Sequence, residues 1–345
     1  MKFISTKLKL AYSPISAREL AWAKDDKDIQ NALSNAHLYM IAKKPQIYFH
    51  NVKVENSVVS LEIKNTKGCA SISIPTHQSI FAIEPDKELL VRIGSNEKVI
   101  AMNGDTCEIA HGLQFYKIER AKCNGCSNDS LEQYITSENF VLWLSPEKLL
   151  FQYKNQQLQV PNFDKSKNFF WDYEVMYIGK ATKQSAFQRL DGHKTLLHIL
   201  EKEIEDYKQI RDDVVLLFFK VSDSESATFF DKTTSEEDFF QLIDGTPSIK
   251  ILSLEAEKIF VSTFKPKYNK TIFKQYPKGD DGLYSYNYDF IDYTIADSIN
   301  LVFKNCVFRG GNEGNHLVYS KDSGLVVKEG KDFQEYIAEK MNPLF

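Results

Sequence analysis

The sequence predicts an α+β multidomain protein with a β-rich N-terminal domain, a central small α/β module and a β-containing C-terminal segment. Its 345 residues are enough for two or three domains at roughly 100–200 residues each. The 24 Phe and 17 Tyr are residue types that favour strands. The hydrophobic pattern has a period of two over residues 46–118 and alternates between strand and helix patterns after about residue 170.

The composition is that of a packed protein, with 43% hydrophobic and 26% charged residues. Lys and Arg number 43 against 47 Asp and Glu, so the net charge is −4. This balance argues against a protein that coats nucleic acid by bulk charge, although it leaves room for a local basic strip.

Membrane and secretory signals are not evident. No apolar run approaches the ~20 residues that span a bilayer. Residues 1–7 alternate between apolar and polar, unlike a signal peptide. The five cysteines do not form a pattern typical of a disulfide framework. We therefore expect a cytoplasmic protein without a membrane partner.

Residues 1–150 form the predicted β-rich domain, which we interpret as a targeting or recognition domain. A loose apolar stripe, with Ser16 three residues before Glu19, predicts a helix over 15–42. From Gln46 onward, short alternating runs broken by Gly, Asn and Pro predict an antiparallel sandwich or barrel.

Residues 151–278 form the predicted central module, after a polar boundary at 151–170. Its predicted elements are a strand at 173–178, a helix at 186–208, a strand buried on both faces at 213–221, and a helix at 251–264. The C-terminal segment, 279–345, has short strand patterns from residue 284 and a terminal helix at 332–341.

Four side chains of the central module suit phosphodiester chemistry. Arg189 and His193 are four residues apart and would share one face of a helix. Tyr177 ends a strand pattern, and Glu257 lies inside a later helix. A carboxylate can hold Mg²⁺ or Mn²⁺, a cation can neutralise phosphate charge, and a phenol or imidazole can handle the nucleophile's proton.

These residues, in this order, resemble the GIY-YIG nuclease superfamily over about residues 165–275. The matching features are Tyr177-Ile178-Gly179 followed by Lys180-Ala181, the pair Arg189 and His193, Glu257, and the helix end Pro266-Lys267-Tyr268-Asn269. The resemblance implies a small antiparallel sheet flanked by helices. It also implies a metal-dependent endonuclease, with DNA favoured over RNA and restriction or phage defence as the first biological setting.

The same resemblance implies a role for each residue. Glu257 binds the divalent metal, Arg189 contacts the phosphate, and Tyr177 with His193 activates or orients the attacking water. Glu255, two residues before Glu257, lies on a different helix face.

The family's first tyrosine, in a Gly-Ile-Tyr triplet, has no evident counterpart in the preceding stretch. Tyr173 is too close to Tyr177 in sequence. Tyr153 could serve from a predicted strand at 149–153 if the first hairpin is long. The remaining alternative is that the first tyrosine is replaced, which leaves the proton acceptor open.

Supporting residues complete the predicted site. Gly179 lets the strand end in a sharp turn, and Asn269 fixes the loop after the helix. The predicted nucleic-acid-binding lysines are Lys180, Lys265, Lys267, Lys270 and Lys274. A solvated helix end, with lysines favoured by the helix dipole, is the alternative interpretation of this strip.

Four further residues have zinc-ligand chemistry. Cys107 and His111 are four residues apart, and Cys123 and Cys126 enclose a tight turn. Buried free cysteines of a β domain are the alternative, which the unusual first spacing favours.

Two other functions remain open: a catalytically inactive nucleic-acid-binding protein that retains the fold, and an assembly protein whose β domain is the working part. In each case we expect the N-terminal domain to recognise the target, a partner protein or a second copy of the chain.

Overall fold

The structure is a computed structural model of the whole chain. It describes residues 1–55, 57–78, 81, 88–93, 99–100, 106–120, 135–164, 167–181, 186–190, 193–203, 212–229, 247–304 and 306–341. The chain is mixed α/β and rich in strands, with one large sheet and two smaller antiparallel sheets.

The strands found among the described residues are numbered in chain order. They are β1 (Lys2–Leu10), β2 (Ile15–Ser16), β3 (Leu38–Pro45), β4 (Tyr48–Glu55), β5 (Val58–Asn65), β6 (Gly68–Pro75), β7 (Glu88–Ile93), β8 (Val99–Ile100), β9 (Thr106–Ala110), β10 (Leu113–Arg120), β11 (Ile135–Leu144), β12 (Asp172–Lys180), β13 (Asp212–Thr228), β14 (Phe290–Ile295), β15 (Asn300–Phe303), β16 (Cys306–Arg309), β17 (Asn315–Ser320) and β18 (Gly324–Glu329). The α-helices of the described residues are α1 (Leu20–Ala23), α2 (Lys27–Leu33), α3 (Pro146–Lys154), α4 (Ala186–Leu190), α5 (Lys194–Glu203), α6 (Ile249–Phe264) and α7 (Gly330–Met341).

The chain divides into two compact units. The first unit contains residues 1–44, 171–207 and 212–345, and the second contains 45–170 with 208–211. The first unit therefore takes residues from all three of the segments predicted from the sequence. The reason is strand pairing over long sequence distances, which segment-by-segment patterns do not record.

The large sheet builds the first unit in the order β16-β15-β12-β3-β13-β1-β14-β17-β18, with β2 also paired to β13. The N-terminal strand β1 lies inside this sheet, antiparallel to β13 and parallel to β14. Strand β12 is antiparallel to β3 and parallel to β15. The sheet thus joins elements from the start, middle and end of the chain.

Strand β13 is covered on both faces, as its continuous apolar run predicts. Val214, Leu216 and Phe218 belong to a buried cluster that includes side chains of α2, α4 and α5. The alternate residues of β13 are also buried and point to the opposite face. Elsewhere in the unit, Phe260 and Phe264 of α6 pack on rings of β14, β15 and β16.

The second unit contains two four-stranded sheets, β6-β5-β4-β9 and β11-β10-β7-β8. Neighbouring strands are antiparallel, and several pairs are consecutive hairpins. Helix α3 begins at the cap residue Ser145, whose side chain accepts a hydrogen bond from the Lys148 N–H. This unit is therefore built mainly of strands.

Four predicted elements are wrong. The expected helix over 15–42 consists of β2, two short helices and the start of β3, since the run at 38–42 is buried throughout and periodicity cannot separate a buried strand from a helix. The strand expected from residue 284 is a 3-10 turn at Tyr284–Tyr286, and the strands of that segment begin at Phe290. The expected strand at 149–153 lies in α3. The expected helix over 186–208 is divided into α4 and α5.

Among the described residues, no helix combines the length and the hydropathy that a bilayer span requires.

Candidate functional site

The pairing of β3 with β12 brings two tyrosines together. In the register of this pair, Tyr39 lies opposite Gly179, and Ile41 lies opposite Tyr177. The ring centroids of Tyr39 and Tyr177 are 6.1 Å apart. The tyrosine beside Tyr177 is therefore Tyr39, which the sequence patterns did not single out. It comes from before the second unit in the chain, while Tyr177 comes after it.

Neither of the tyrosines considered from the sequence takes this place. Tyr153 lies on α3 in the second unit, where its ring packs on Phe163 at 4.8 Å. Tyr173 is buried, and the Lys44 ammonium lies 4.4 Å from its ring centroid. A signal for Tyr39 does exist, since His37-Leu38-Tyr39 has an aliphatic residue and a tyrosine where the family triplet has Ile-Tyr.

Gly179 makes room for this tyrosine pair. A Cβ at Gly179 would lie 2.6 Å from the Tyr39 Oη and 2.8 Å from a Tyr177 ring carbon. Gly179 lies inside β12, which continues to Lys180, so the predicted sharp turn at this glycine is wrong. The requirement for glycine is steric: any side chain would displace the Tyr39 ring.

His193 joins the tyrosines from the position directly before α5. Its Nε2 is 3.3 Å from the Tyr39 Oη, and its ring centroid is 5.6 Å from that of Tyr177. Its Nδ1 accepts the Leu196 N–H at 3.3 Å, which satisfies one of the free donors at the start of α5. Because Nδ1 is an acceptor, the proton of the neutral ring lies on Nε2 and is donated to Tyr39.

Burial and the nearby charge of Arg189 both favour the neutral form of His193. Burial, followed by the positive charge of Arg189, lowers the pKa of His193. The imidazole therefore serves as a hydrogen-bond donor to Tyr39 at neutral pH, since its other nitrogen is engaged at the start of α5. In this geometry both ring nitrogens of His193 are engaged, so His193 does not accept a proton from a water molecule.

Arg189 reaches the same cluster from α4, which ends before His193, so the two residues do not share one helix as predicted. Arg189 is exposed. Burial, followed by the neighbouring Tyr177, raises the pKa of Tyr39, and the guanidinium of Arg189 opposes this shift. Burial also raises the pKa of Tyr177, where a hydrogen bond from Tyr39 and the charge of Arg189 act in the opposite direction.

Glu257 approaches the cluster from α6 and forms an ion pair with Lys180. The Lys180 Nζ lies 3.0 Å from the Glu257 Oε2 and 3.9 Å from the Asp281 Oδ2, and the Glu257 side chain is 13% exposed. Burial raises the pKa of Glu257, while Lys180 and Arg189 lower it. Charges of both signs thus meet beside the tyrosines.

Glu255 points elsewhere, as its position on the helix predicts. It is fully buried, and its Oε2 accepts the Leu283 N–H at 2.8 Å. A Cβ at Gly282 would lie 2.3 Å from the same oxygen. Glu255 therefore holds the 282–283 backbone against α6, close to Asp281 in sequence.

Glu257 is the carboxylate of this cluster that could hold a divalent metal, and its Oε2 is paired with the Lys180 ammonium. In the described parts of the chain, no group of three or more His, Cys, Asp or Glu side chains is placed to hold a metal. Glu257 supplies one hard carboxylate, and Asp281 lies on the other side of Lys180. One or two carboxylates suffice for Mg²⁺ when phosphate oxygens and water complete its coordination.

The helix end Pro266-Lys267-Tyr268-Asn269 is tied to β12 and α5. Asn269 accepts the Ile178 N–H at 2.9 Å and donates to the Ile178 carbonyl at 2.8 Å. Tyr268 and Lys267 both donate to Glu203 at 2.7 Å. The Asn269 side chain thus makes the two hydrogen bonds to the Ile178 backbone that a neighbouring strand would make. These bonds hold the part of β12 next to Tyr177 in place.

The predicted lysine strip is divided by the structure. Lys180 pairs with Glu257, and Lys267 pairs with Glu203. Lys265, Lys270 and Lys274 are exposed along the segment after α6. Lys258, by contrast, is buried and pairs with Asp281 at 2.5 Å, so it takes no part in the surface strip.

The predicted zinc quartet can be followed only in part. Cys107 lies on β9, paired with Val52, and His111 is exposed after that strand. The Gln46 side chain lies 3.4 Å from the His111 Nδ1. Cys123 and Cys126 lie outside the described residues.

Comparison with protein-family models, curated proteins and solved structures finds no match for this chain. A functional assignment therefore depends on the residues themselves and on their geometry.

Proposed function

We propose that the protein is a metal-dependent endonuclease that hydrolyses phosphodiester bonds of nucleic acid, with DNA as the preferred substrate. The observation that supports this most is the meeting of Tyr39, Tyr177, His193 and Arg189, with Glu257 within electrostatic range. Four of these side chains come from β3, β12, α4 and α6, and His193 directly precedes α5. A phenol pair, a fixed cation and a hard carboxylate are the groups that phosphodiester hydrolysis requires.

Tyr39 takes the place of the first tyrosine in this proposal, so the resemblance to the GIY-YIG superfamily no longer lacks that residue. The two tyrosine strands are then separated in sequence by the whole second unit. We propose that this β-rich unit recognises the target or a partner. Restriction or phage defence remains the biological setting that the resemblance favours.

In the proposed mechanism, Tyr39 and Tyr177 orient the attacking water through their phenol oxygens. Tyr39 first loses its own proton to solvent, and the phenolate then takes the proton of the water as the water oxygen bonds to phosphorus. The bond from phosphorus to the leaving oxygen breaks, and the leaving oxygen takes a proton from solvent. The His193 Nε2–H holds Tyr39 in position, and Arg189 contacts the phosphate as its negative charge grows. Glu257 would hold Mg²⁺ or Mn²⁺, which when bound supplies Lewis-acid stabilisation of the phosphate oxygens.

The test is cleavage of plasmid DNA and of RNA in Mg²⁺ or Mn²⁺ by the wild-type chain, Glu257→Gln and Glu201→Gln. Glu201 is an exposed glutamate of α5 and serves as the matched control. We expect Glu257→Gln to lower the rate at least about 10²-fold and to weaken Mn²⁺ binding in calorimetry, with Glu201→Gln unaffected.

If the wild-type chain binds DNA but all three proteins lack cleavage above a metal-free blank, the inactive binding protein becomes the better assignment.

A further inference from the structure

A large cavity in the first unit lies next to the candidate catalytic cluster. Its volume is about 810 Å³, within the range of small-molecule sites. Its apolar wall is formed by side chains of α1, α4 and α5: Leu20, Phe187, Leu190, Leu196, Leu197 and Leu200. Its polar rim is formed by Lys24, Gln30, Asn31, Ser34 and Gln188, together with one acidic residue, Asp25.

Helix α4 connects the cavity to the cluster. Phe187 and Gln188 line the cavity, while the next residue, Arg189, acts on Tyr39. His193 belongs to both places, since it lines the cavity and contacts the Tyr39 Oη. Arg189 does not line the cavity itself, but a nucleotide whose phosphate contacts Arg189 could place its nucleoside against the neighbouring lining residues Gln188 and His193.

The chemistry of the cavity suits a nucleobase. Phe187 offers an aromatic ring, and base–aromatic stacking is sequence-tolerant. Gln30, Asn31 and Gln188 carry amides, a group that can both donate to and accept from base edges. The Gln30 amide also donates to the Lys24 carbonyl. Lys24 adds a cation for a neighbouring phosphate.

We infer that this cavity binds the nucleobase of the nucleotide next to the scissile phosphate. The inference rests on the proposed nuclease function and assigns it a substrate-recognition pocket outside the catalytic cluster. The same cavity chemistry would also bind the base of a free mononucleotide. The experiment must therefore distinguish a base of the substrate strand from a free mononucleotide.

The decisive variant is Leu197→Trp, which fills the cavity from an exposed position. Leu197 is 59% exposed, so a larger side chain there leaves the core intact. Ile249→Trp is the matched control, because Ile249 is a 53% exposed aliphatic residue on α6 outside the cavity lining. Ser34→Trp, at another exposed lining residue, provides a second test if Leu197→Trp does not fold.

Two readouts are used on the full-length chain. The first is oligonucleotide cleavage in Mg²⁺, where we expect Leu197→Trp to raise KM about tenfold with kcat little changed, and Ile249→Trp to change KM less than about twofold. The second is saturation-transfer NMR of the four deoxynucleoside monophosphates with Glu257→Gln. We expect transfer to the base protons, and we expect adding Leu197→Trp to abolish it.

The outcomes separate this inference from the proposed function. A wild-type chain that cleaves nothing but shows base-proton transfer sensitive to Leu197→Trp supports nucleobase binding while removing the nuclease assignment. Unchanged KM and unchanged transfer in folded Leu197→Trp and Ser34→Trp would overturn the inference even if the protein cleaves DNA. Mononucleotides that bind without competing against the oligonucleotide would overturn the assignment to the substrate strand. Inorganic phosphate serves as the base-free control.

Discussion

The two units of this protein differ in how far apart in sequence their paired strands lie. In the second unit, β4, β5 and β6 pair each with the next strand, as do β10 and β11. In the first unit, β3 pairs with β12 and β1 pairs with both β13 and β14. Local hairpins follow from local patterns, whereas distant pairings bring together side chains that no local pattern connects.

The chemistry follows the same division. The first unit contains buried or half-buried charges with several partners each, such as Glu203 with Lys43, Lys267 and Tyr268. A representative charge pair of the second unit, Arg92 with Glu138, is partly exposed and lies across β10. The comparison predicts that catalysis and the strongest polar contributions to stability both belong to the discontinuous unit.

The largest expected effect is a difference in kcat between substitutions of a tyrosine in the first unit and of one in the second. Tyr39→Phe should lower kcat about 10²-fold or more, because it removes the proposed proton acceptor while keeping the ring. Tyr153→Phe, in the second unit, should leave kcat within about twofold. Steady-state cleavage rates measure both variants.

The same pair tests the pH dependence. Because burial raises the pKa of Tyr39, the wild-type rate should rise with pH through the alkaline range as Tyr39 ionises. Tyr39→Phe should remove this rise. If the rate of Tyr39→Phe rises with pH as steeply as that of the wild type, the proton transfer belongs to another group.

The next largest expected effect is on the free energy of unfolding, compared between one glutamate of each unit. Burial opposes the ionisation of Glu203, but hydrogen bonds from Lys267, Tyr268 and Lys43 outweigh it and lower its pKa to about 2. Glu203→Gln should reduce the free energy of unfolding by about 2 kcal/mol near neutral pH. Glu138→Gln, which breaks the Arg92 pair, should cost less than about 1 kcal/mol.

The pH dependence of Glu203 has a defined sign. The pKa is lower in the folded chain than the usual 4.5, so the stabilisation is present above pH 4.5 and is lost as the pH falls towards 2. The difference between wild type and Glu203→Gln in urea unfolding should shrink over that range. A constant difference would mean that the contribution of Glu203 is packing and not charge.

A smaller effect concerns His193. Nitrogen NMR should find the neutral ring protonated on Nε2, with a pKa below the usual 6.5. Arg189→Ala should raise this pKa, because it removes a neighbouring positive charge. Since the unfolded chain binds this proton more readily, the contribution of His193 to stability should decline as the pH falls below 6.5. A ring protonated on Nδ1 would contradict the hydrogen bond from Leu196.

The smallest effect is that of the exposed lysines after α6. Lys270→Gln and Lys274→Gln should each weaken DNA binding about two- to threefold and reduce the salt dependence of log K by about one. Lys331→Gln, an exposed lysine of α7, is the matched control. If all three variants weaken DNA binding equally, the lysines after α6 contribute only as general surface charge.

Much of the local structure follows from the sequence alone. Alternating runs predict the hairpins of the second unit, and the continuous apolar run predicts the doubly buried β13. The predicted helix at 251–264 corresponds to α6, which ends before Lys265, a residue in the left-handed conformation that is followed by Pro266. These features depend on contacts within a few residues.

Only the tertiary structure decides which tyrosine faces Tyr177, why Gly179 is a glycine and which partner Lys180 takes. Tyr39 belongs to a strand whose partner follows the whole second unit, and Asp281 approaches Lys180 through a loop held by Glu255. Residue types and short spacings identify the chemical groups of a site. Their meeting depends on pairings between distant strands, because backbone hydrogen bonds and burial act on neighbours in space whatever their separation along the chain.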